Sequence, residues 1–137
     1  MWILYALLSA VFAAAVAILA KIGMKGVDSD LATAIRTIVI LVVAWMIVFT
    51  RGLNAQLPQL TTRNWLFISL SGLATGLSWI FYFRALQLAK VAQVAPIDKM
   101  SVAIAIVLAA IFLGEIPSVK VTIGAALVVA GSLVIAL

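Results

Sequence analysis

The chain is organised as five apolar runs separated by short polar segments. Each run has roughly 20 residues, the length that an α-helix needs to cross the hydrocarbon core of a bilayer at about 1.5 Å per residue. The runs cover about residues 2–20, 31–50, 65–88, 94–113 and 118–137. Transmembrane β-strands are segments of roughly ten residues in which apolar and polar residues alternate. The runs in this chain are longer and predominantly apolar. We therefore predict an all-α integral membrane protein with five transmembrane helices in a single domain, residues 1–137.

Residues typical of helix ends lie at the borders of the runs. Asp28 can cap the second helix, and Thr61 or Thr62 can cap the third. Pro96 suits the first turn of the fourth helix, where a missing N–H costs little. Gly114 lies where a helix that ends after the fourth run would place a glycine. The pattern predicts short connections, the longest of them before the third helix.

Composition narrows the class of function. The sequence is 67% hydrophobic and 9% charged, and it contains no cysteine and no histidine. The chain therefore has no disulfides, no thiol nucleophiles, no imidazole bases and none of the commonest ligands of zinc or haem iron. We therefore expect neither an enzyme nor a metal or cofactor site. The net charge of +5 comes from Lys and Arg scattered between apolar runs, which indicates contact with lipid headgroups of the bilayer rather than with nucleic acid.

The basic residues give only a weak orientation signal. Counting spans, they fall on two sides in nearly equal number: the N-terminus, Arg51, Arg63 and Lys120 on one, and Lys21, Lys25, Arg84 and Lys90 on the other. Arg36 and Lys99, just inside two helices, tip the balance modestly toward the second side. One interpretation is a fixed topology with the C-terminus inside. We favour the other, insertion in both orientations as an antiparallel dimer, because an odd number of spans lets a second copy lie inverted.

Charged residues inside the second and fourth helices are candidates for binding substrate. An arginine at the centre of a membrane helix costs about 2.5 to 3.5 kcal/mol, so Arg36 is expected to face protein or water unless it extends to the headgroups. Asp98 could pair with Arg36, either structurally or for substrate binding and gating. With Lys99 and two helix N-termini on the same side, the region favours a carboxylate or phosphate, and an amino acid would satisfy both signs.

The third helix carries a polar stripe at helical spacing, Ser71, Thr75, Ser78 and Tyr82. Trp79 lies beside it, and Ser78, Trp79 and Tyr82 are predicted to line the substrate path, with helix packing as the alternative. Small residues predict packing or dimer contacts: Gly72 and Gly76 on the third helix, and Gly124 and Gly131 on the fifth.

The second half of the chain resembles a known family. From Ala85 it has the run ALQLAKVAQVAPI, then the LGE of 113–115, then Gly124 and Gly131, while Arg36 lies near the start of the second helix. These features resemble the EamA-type repeat of the drug/metabolite transporter superfamily. The resemblance implies that the chain corresponds to one repeat of a ten-helix transporter with inverted symmetry, holding substrate between two halves and working by alternating access. A five-helix chain would then need a partner.

One departure from related proteins affects the coupling residue. The small multidrug-resistance proteins use a glutamate in their first helix, whereas the first helix here has no acid, which argues against proton-coupled drug export by that route. Glu115 lies in the turn after the fourth run and is expected to brace loops. Asp98 is therefore the predicted coupling residue.

We predict a multi-pass transporter of the cell inner membrane that exports a small polar or zwitterionic metabolite, such as an amino acid, as an antiparallel homodimer. The predicted substrate-binding residues are Arg36, Ser78, Trp79, Tyr82, Asp98 and Lys99. The alternatives are a non-transporting membrane subunit that pairs with a paralogue, and a multidrug exporter. An intramembrane enzyme would lack acid-base machinery.

Overall fold

The structure, a computed structural model, describes all residues from 1 to 137, and its regular structure is entirely helical. Five helical segments are long and apolar enough to cross a membrane: Trp2–Gly23, Ser29–Thr50, Thr62–Leu88, Val91–Phe112 and Val119–Ala136. Each border lies within about three residues of the border predicted from the apolar runs. The prediction of five membrane helices is confirmed.

The fourth of these segments is built from two helices. The elements in chain order are α1 (Trp2–Gly23), α2 (Ser29–Thr50), α3 (Thr62–Leu88), α4 (Val91–Asp98), α5 (Ser101–Phe112) and α6 (Val119–Ala136). A short 3₁₀ segment, Leu53–Gln59, lies in the connection between α2 and α3.

The chain divides into two compact units. The first comprises Met1–Ile18 with Leu88–Leu137, and the second comprises Leu19–Gln87. In the first unit α4 and α5 pack on α6, and in the second the 3₁₀ segment packs on α2. Few side chains are buried: Ala17, Val94 and Ser132 in the first unit, and Met24, Ser29, Thr33, Phe83 and Leu86 in the second. Most large apolar side chains are exposed, as surfaces that meet lipid would be.

Several predicted helix ends have the expected local chemistry. The Asp28 carboxylate accepts a hydrogen bond from the backbone N–H of Asp30 at 2.8 Å, which caps α2. The Thr61 hydroxyl accepts from the N–H of Asn64 at 3.2 Å and caps α3. Gly114 has a φ of 70°, a left-handed conformation that turns the chain out of the helix after α5.

The prediction that Pro96 opens the fourth helix is wrong. The helix α4 begins earlier, at Val91, where the side-chain oxygen of Gln93 accepts from the N–H of Lys90 at 3.4 Å. Pro96 therefore lies in the second turn of α4. A proline there has no N–H to donate to the carbonyl four residues earlier, that of Ala92, which weakens the helix.

The fourth span is consequently interrupted rather than continuous. Lys99 and Met100 separate α4 from α5, and the hydrogen bonds around them contract by one residue. The N–H of Met100 donates to the carbonyl of Ile97 at 3.0 Å, and the N–H of Val102 donates to that of Lys99 at 3.0 Å. This is the tighter 3₁₀ pattern, which often marks a hinge inside a helix. The break lies three residues after Pro96.

Candidate functional site

Arg36 lies deeper in its helix than the apolar pattern predicted. Because α2 begins at Ser29, the residue is about 10 Å along the helix axis from the first residue at 1.5 Å per residue. Its helical neighbours are polar but locally satisfied. The hydroxyl of Thr33 donates to the carbonyl of Ser29 at 2.7 Å, and that of Thr37 donates to the carbonyl of Thr33 at 2.8 Å. Both hydroxyls therefore donate to backbone carbonyls within α2.

The guanidinium of Arg36 is held by two aromatic rings of α3. Its Cζ atom lies 4.0 Å from the ring centroid of Phe83 and 4.9 Å from that of Trp79. The two rings lie on one face of α3 because they are four residues apart. Such cation–π contacts contribute about 0.5 to 2 kcal/mol each, the higher figure away from water. The guanidinium thus lies against the aromatic face of α3.

One nitrogen of this guanidinium is left without an acceptor. The Nη1 atom of Arg36 is buried and has no hydrogen-bond partner. A buried donor without a partner costs about 1 to 3 kcal/mol, and more when it is charged. Arginine has a planar fork of N–H donors that matches carboxylate and phosphate oxygens. Arg36 as a whole is only half-buried, so an anionic group from outside the chain can reach the part of the fork that is accessible and balance the charge there.

The face of α3 that continues from these rings is open. Gly72 precedes Trp79 by seven residues, and Gly76 precedes Phe83 by the same number, so the glycines lie on the face of the rings, two turns earlier. A Cβ atom added at either glycine would meet nothing within 4 Å. The predicted packing role of these two glycines stays a prediction. The space beside them could hold the rest of a ligand whose anionic end lies at Arg36.

The ring wall of the site is anchored at its far end. Phe83 and Leu86 are 1% and 0% exposed. Lys21, in the last turn of α1, donates to the backbone carbonyl of Leu86, and the Gln87 amide donates to the carbonyl of Val27 at 2.6 Å. These bonds satisfy carbonyl groups near a helix end, and they hold the end of α3 beside the connection from α1 to α2.

Asp98 and Lys99 form a separate pair at the break in the fourth span. The Lys99 Nζ atom lies 3.3 Å from a carboxylate oxygen of Asp98, and the side chains are 56% and 35% exposed respectively. Lys99 follows the C-terminus of α4, where a positive charge is favourable, and it offsets the less favourable carboxylate at the last position of that helix. Asp98 has this partner inside its own unit, and Arg36 has its rings inside the other. The pairing of Arg36 with Asp98 stays a prediction.

The remaining predicted residues lie on α3 and α6. Tyr82 packs its ring edge-on against Phe83, with centroids 5.2 Å apart, so it belongs to the same aromatic cluster. Ser78 is exposed on the neighbouring face, as are Ser71 and Thr75 of the polar stripe. Gly124 and Gly131 of α6 are also exposed, and a Cβ on either would meet nothing within 4 Å. Their role in a dimer stays a prediction.

Sequence reasoning missed Phe83, the ring nearest the arginine. The signal was present, because Phe83 follows Trp79 by one helical turn and therefore lies on the same side of α3. Reasoning from polarity alone selected Tyr82 instead. It also missed Ser132 of α6, whose buried hydroxyl lies 2.7 Å from the carbonyl oxygen of Pro96. A lone serine in an apolar helix carries no pattern that would have singled it out.

The sequence matches both a protein family and a relative. Residues 1–137 match the model of the EamA-like transporter family. The chain is also 47% identical over 135 residues to a protein of Sinorhizobium sp. described as an uncharacterized transporter in the cobO 3' region, and the match covers 98% of this chain and 96% of that protein. No solved structure matches this chain.

Proposed function

The chain belongs to the EamA-like transporter family, and from this premise we propose that it carries a small zwitterionic metabolite, of the amino-acid type, across the cell inner membrane in the outward direction. The family match confirms the resemblance that the sequence motifs indicated. The family and the relative make it a multi-pass membrane transporter and not an enzyme. The substrate class, the direction and the mechanism below are the proposal.

The observation that carries the substrate class is the Arg36 guanidinium, stacked on Phe83 and Trp79 with a buried Nη1 atom that lacks an acceptor. A carboxylate would supply the missing acceptor and the missing counter-charge together. The rings and the open face beside Gly72 and Gly76 would receive an apolar or polar side chain. Ser78 and Tyr82 lie on the adjoining face of α3 and are proposed to contact the remainder of the substrate.

The ammonium group of a zwitterion requires an acceptor, and Asp98 is the proposed one. Its carboxylate is occupied by Lys99 at 3.3 Å in this structure. We propose that the pair faces a water-filled path, where an exposed ion pair contributes only about 0 to 1 kcal/mol. Substrate or a coupling cation can then displace the lysine at little cost. Asp98 would thereby serve both as ligand and as coupling residue, with Lys99 as its resting partner.

An antiparallel homodimer is proposed as the working unit. Three hydroxyl residues of the α3 stripe, Ser71, Thr75 and Ser78, are exposed, and the Thr75 hydroxyl donates to the backbone carbonyl of Ser71 at 2.8 Å. The glycines of α3 and α6 have open space where a side chain would be. Small residues and hydroxyls are what membrane helices place at their contacts with one another. A second, inverted copy would cover these faces and supply the other half of an alternating-access path.

Counterflow in proteoliposomes tests the substrate class. The purified protein is reconstituted with unlabelled compounds inside, and the uptake of labelled L-amino acids is compared with that of matched amines lacking the carboxylate. We expect exchange of at least one amino acid and none of its amine. Equal exchange of both would contradict the role assigned to Arg36, and exchange of bulky apolar cations alone would identify a multidrug exporter instead.

The orientation is tested with a single cysteine in the connection between α2 and α3. The chain has no cysteine of its own, and Gln56 is exposed in that connection, so Gln56→Cys provides one reporter. An impermeant maleimide added to intact cells should label about half of the molecules if both orientations occur. Labelling of all or of none would reject the antiparallel homodimer.

A further inference from the structure

The break in the fourth span is held by one side chain of the neighbouring helix α6. The hydroxyl oxygen of Ser132 lies 2.7 Å from the carbonyl oxygen of Pro96, and also 2.7 Å from the carbonyl oxygen of Val128, one turn back in its own helix. A hydroxyl has one hydrogen to donate. Ser132 therefore has two alternative acceptors: one ties α6 to α4, and the other closes on α6 itself. The residue is 3% exposed, so these two carbonyls are its local choices.

The carbonyl of Pro96 is available because of the break. In an unbroken α-helix it would accept from the N–H of Met100, four residues on. Here Met100 donates to Ile97 at 3.0 Å. Only the N–H of Lys99 approaches Pro96, at 3.1 Å, and that N–H is shared with the carbonyl of Ala95 at 3.3 Å. Ser132 thus supplies the hydrogen bond that the interruption removes.

The two halves of the span are held unequally. The helix α4 contains a buried residue, Val94, and is bonded to α6 through Ser132. The helix α5 contains no buried residue. Segments with little buried surface are the ones that move at low cost. The better-held half of the span is therefore α4, and the freer half is α5.

We propose that Ser132 is a positioning residue that makes α4 and α6 move as one body, so that the fourth span bends at Lys99 and Met100 and α5 is its moving half. When the hydroxyl donates to the carbonyl of Val128 instead, the hydrogen bond that ties α6 to α4 is lost. The proposal rests on the proposed function only in assigning this bending to alternating access. Asp98 and Lys99 lie at the joint, so the bend carries the proposed coupling pair with it.

Distances between spin labels test the proposal without any substrate. Since the chain has no cysteine, two pairs can be introduced at exposed positions, Ala92→Cys with Leu133→Cys across α4 and α6, and Leu108→Cys with Val121→Cys across α5 and α6. In lipid bilayers we expect a narrow distance distribution for the first pair and a broad one for the second. Adding Ser132→Ala should broaden the first and leave the second unchanged.

Matched variants separate the effect of losing the hydrogen bond between Ser132 and Pro96 from a general loss of packing. Thr122→Val removes a hydroxyl of α6 that bonds only within its own helix, at 3.2 Å to the carbonyl of Ser118, and should leave both distributions as they are. Ser132→Thr keeps the hydroxyl and should restore the narrow distribution. If Ser132→Ala leaves the α4–α6 distribution narrow, or broadens both pairs equally, the proposal is wrong.

Transport provides the second readout. Losing one hydrogen bond shifts an equilibrium by about 2- to 10-fold, so Ser132→Ala should change the rate of amino-acid counterflow by that factor with little change in KM. Ser132→Thr should recover the rate. If the wild-type protein exchanges none of the probes yet the distance result holds, the hinge stands and the proposed function fails. An unchanged rate beside a broadened α4–α6 distribution would reject the link to transport.

Discussion

The two units of this protein treat their intramembrane charges in opposite ways. In the unit from Leu19 to Gln87, Arg36 is stacked on rings and keeps a buried nitrogen with no acceptor. In the other unit, Asp98 and Lys99 neutralise each other at 3.3 Å. The first charge is unbalanced within its unit, and the second pair is balanced. A charge without a counter-charge in a region of low dielectric has more to gain from a ligand.

The backbone around the two charged sites also differs between the units. Arg36 lies within an uninterrupted 22-residue helix, and its ring partner Phe83 is anchored near a helix end. Asp98 and Lys99 lie where a span is broken and hydrogen bonds contract to the 3₁₀ pattern. A rigid site suits recognition, because its geometry is set before the ligand arrives. A joint suits movement. We therefore expect changes at Arg36 to alter binding and changes near the break to alter turnover.

The largest effect should come from removing the unbalanced charge. Arg36→Met keeps an unbranched side chain on the rings but removes the guanidinium, so amino-acid counterflow should fall about 10- to 100-fold, the value of a charge-assisted hydrogen bond of about 1.5 to 3 kcal/mol. The melting temperature should stay equal or rise, because an unpaired buried cation is lost. Arg36→Lys should be intermediate, since lysine lacks the planar fork.

Arg84 offers the matched control for that experiment. It is exposed on α3, so Arg84→Gln removes the same charge from the neighbourhood without touching the stacked site. Counterflow should be unchanged. A drop in melting temperature for Arg36→Met with unaltered counterflow would mean that Arg36 holds the fold and does not bind substrate.

The sequence was sufficient for the helices because lipid imposes a length on apolar segments. Local chemistry also determined some ends, as with the carboxylate of Asp28 and the left-handed turn at Gly114. Pro96 was wrongly assigned to the first turn because α4 begins at Val91, before the start of the apolar run. At the start of α4 the side chain of Gln93 accepts from the N–H of Lys90, a bond that no hydrophobic pattern reveals. The interruption after Pro96 was not predicted, for the same reason.

The candidate site was predicted in part, for a related reason. Arg36 and Trp79 were identified because a charge and a large amphipathic ring are unusual inside a membrane helix. Phe83 and Ser132 were not, since a phenylalanine or a serine is ordinary there and gains its role from what lies opposite. Contacts between helices distant in sequence are tertiary information. A single sequence gives the face of each helix but not its neighbour.

The next effect in size should separate the two rings that hold the arginine. Phe83→Leu keeps an apolar side chain at a fully buried position and should cost about 1 kcal/mol of stability. Trp79→Leu changes a side chain that is only half-buried, so it should leave the melting temperature nearly unchanged. Because each substitution removes one cation–π contact, both should raise the KM for amino-acid counterflow by several-fold, and thermal melting in detergent measures the difference in stability.

Phe67 supplies the control for the rings. It is exposed on α3, with its ring centroid 5.7 Å from Arg63, so Phe67→Leu removes an aromatic ring and a weaker cation–π contact away from the site. Its KM should match that of the wild-type protein. If Phe67→Leu and Trp79→Leu raise KM equally, the rings act on the helix as a whole and not on Arg36.

The smallest effect should be on the balanced pair, and its size decides whether the comparison holds. In a double-mutant cycle, Asp98→Asn, Lys99→Gln and the two together should show a coupling of about 0 to 1 kcal/mol in stability, because an exposed ion pair contributes little. A larger coupling would mean that the pair fixes the break and is not free to exchange partners. With a small coupling, Asp98→Asn should still abolish uptake driven by a cation gradient while leaving counterflow within a few-fold. That result would assign recognition to the stacked arginine and coupling to the joint, since only a weakly held carboxylate can release its lysine on each transport cycle.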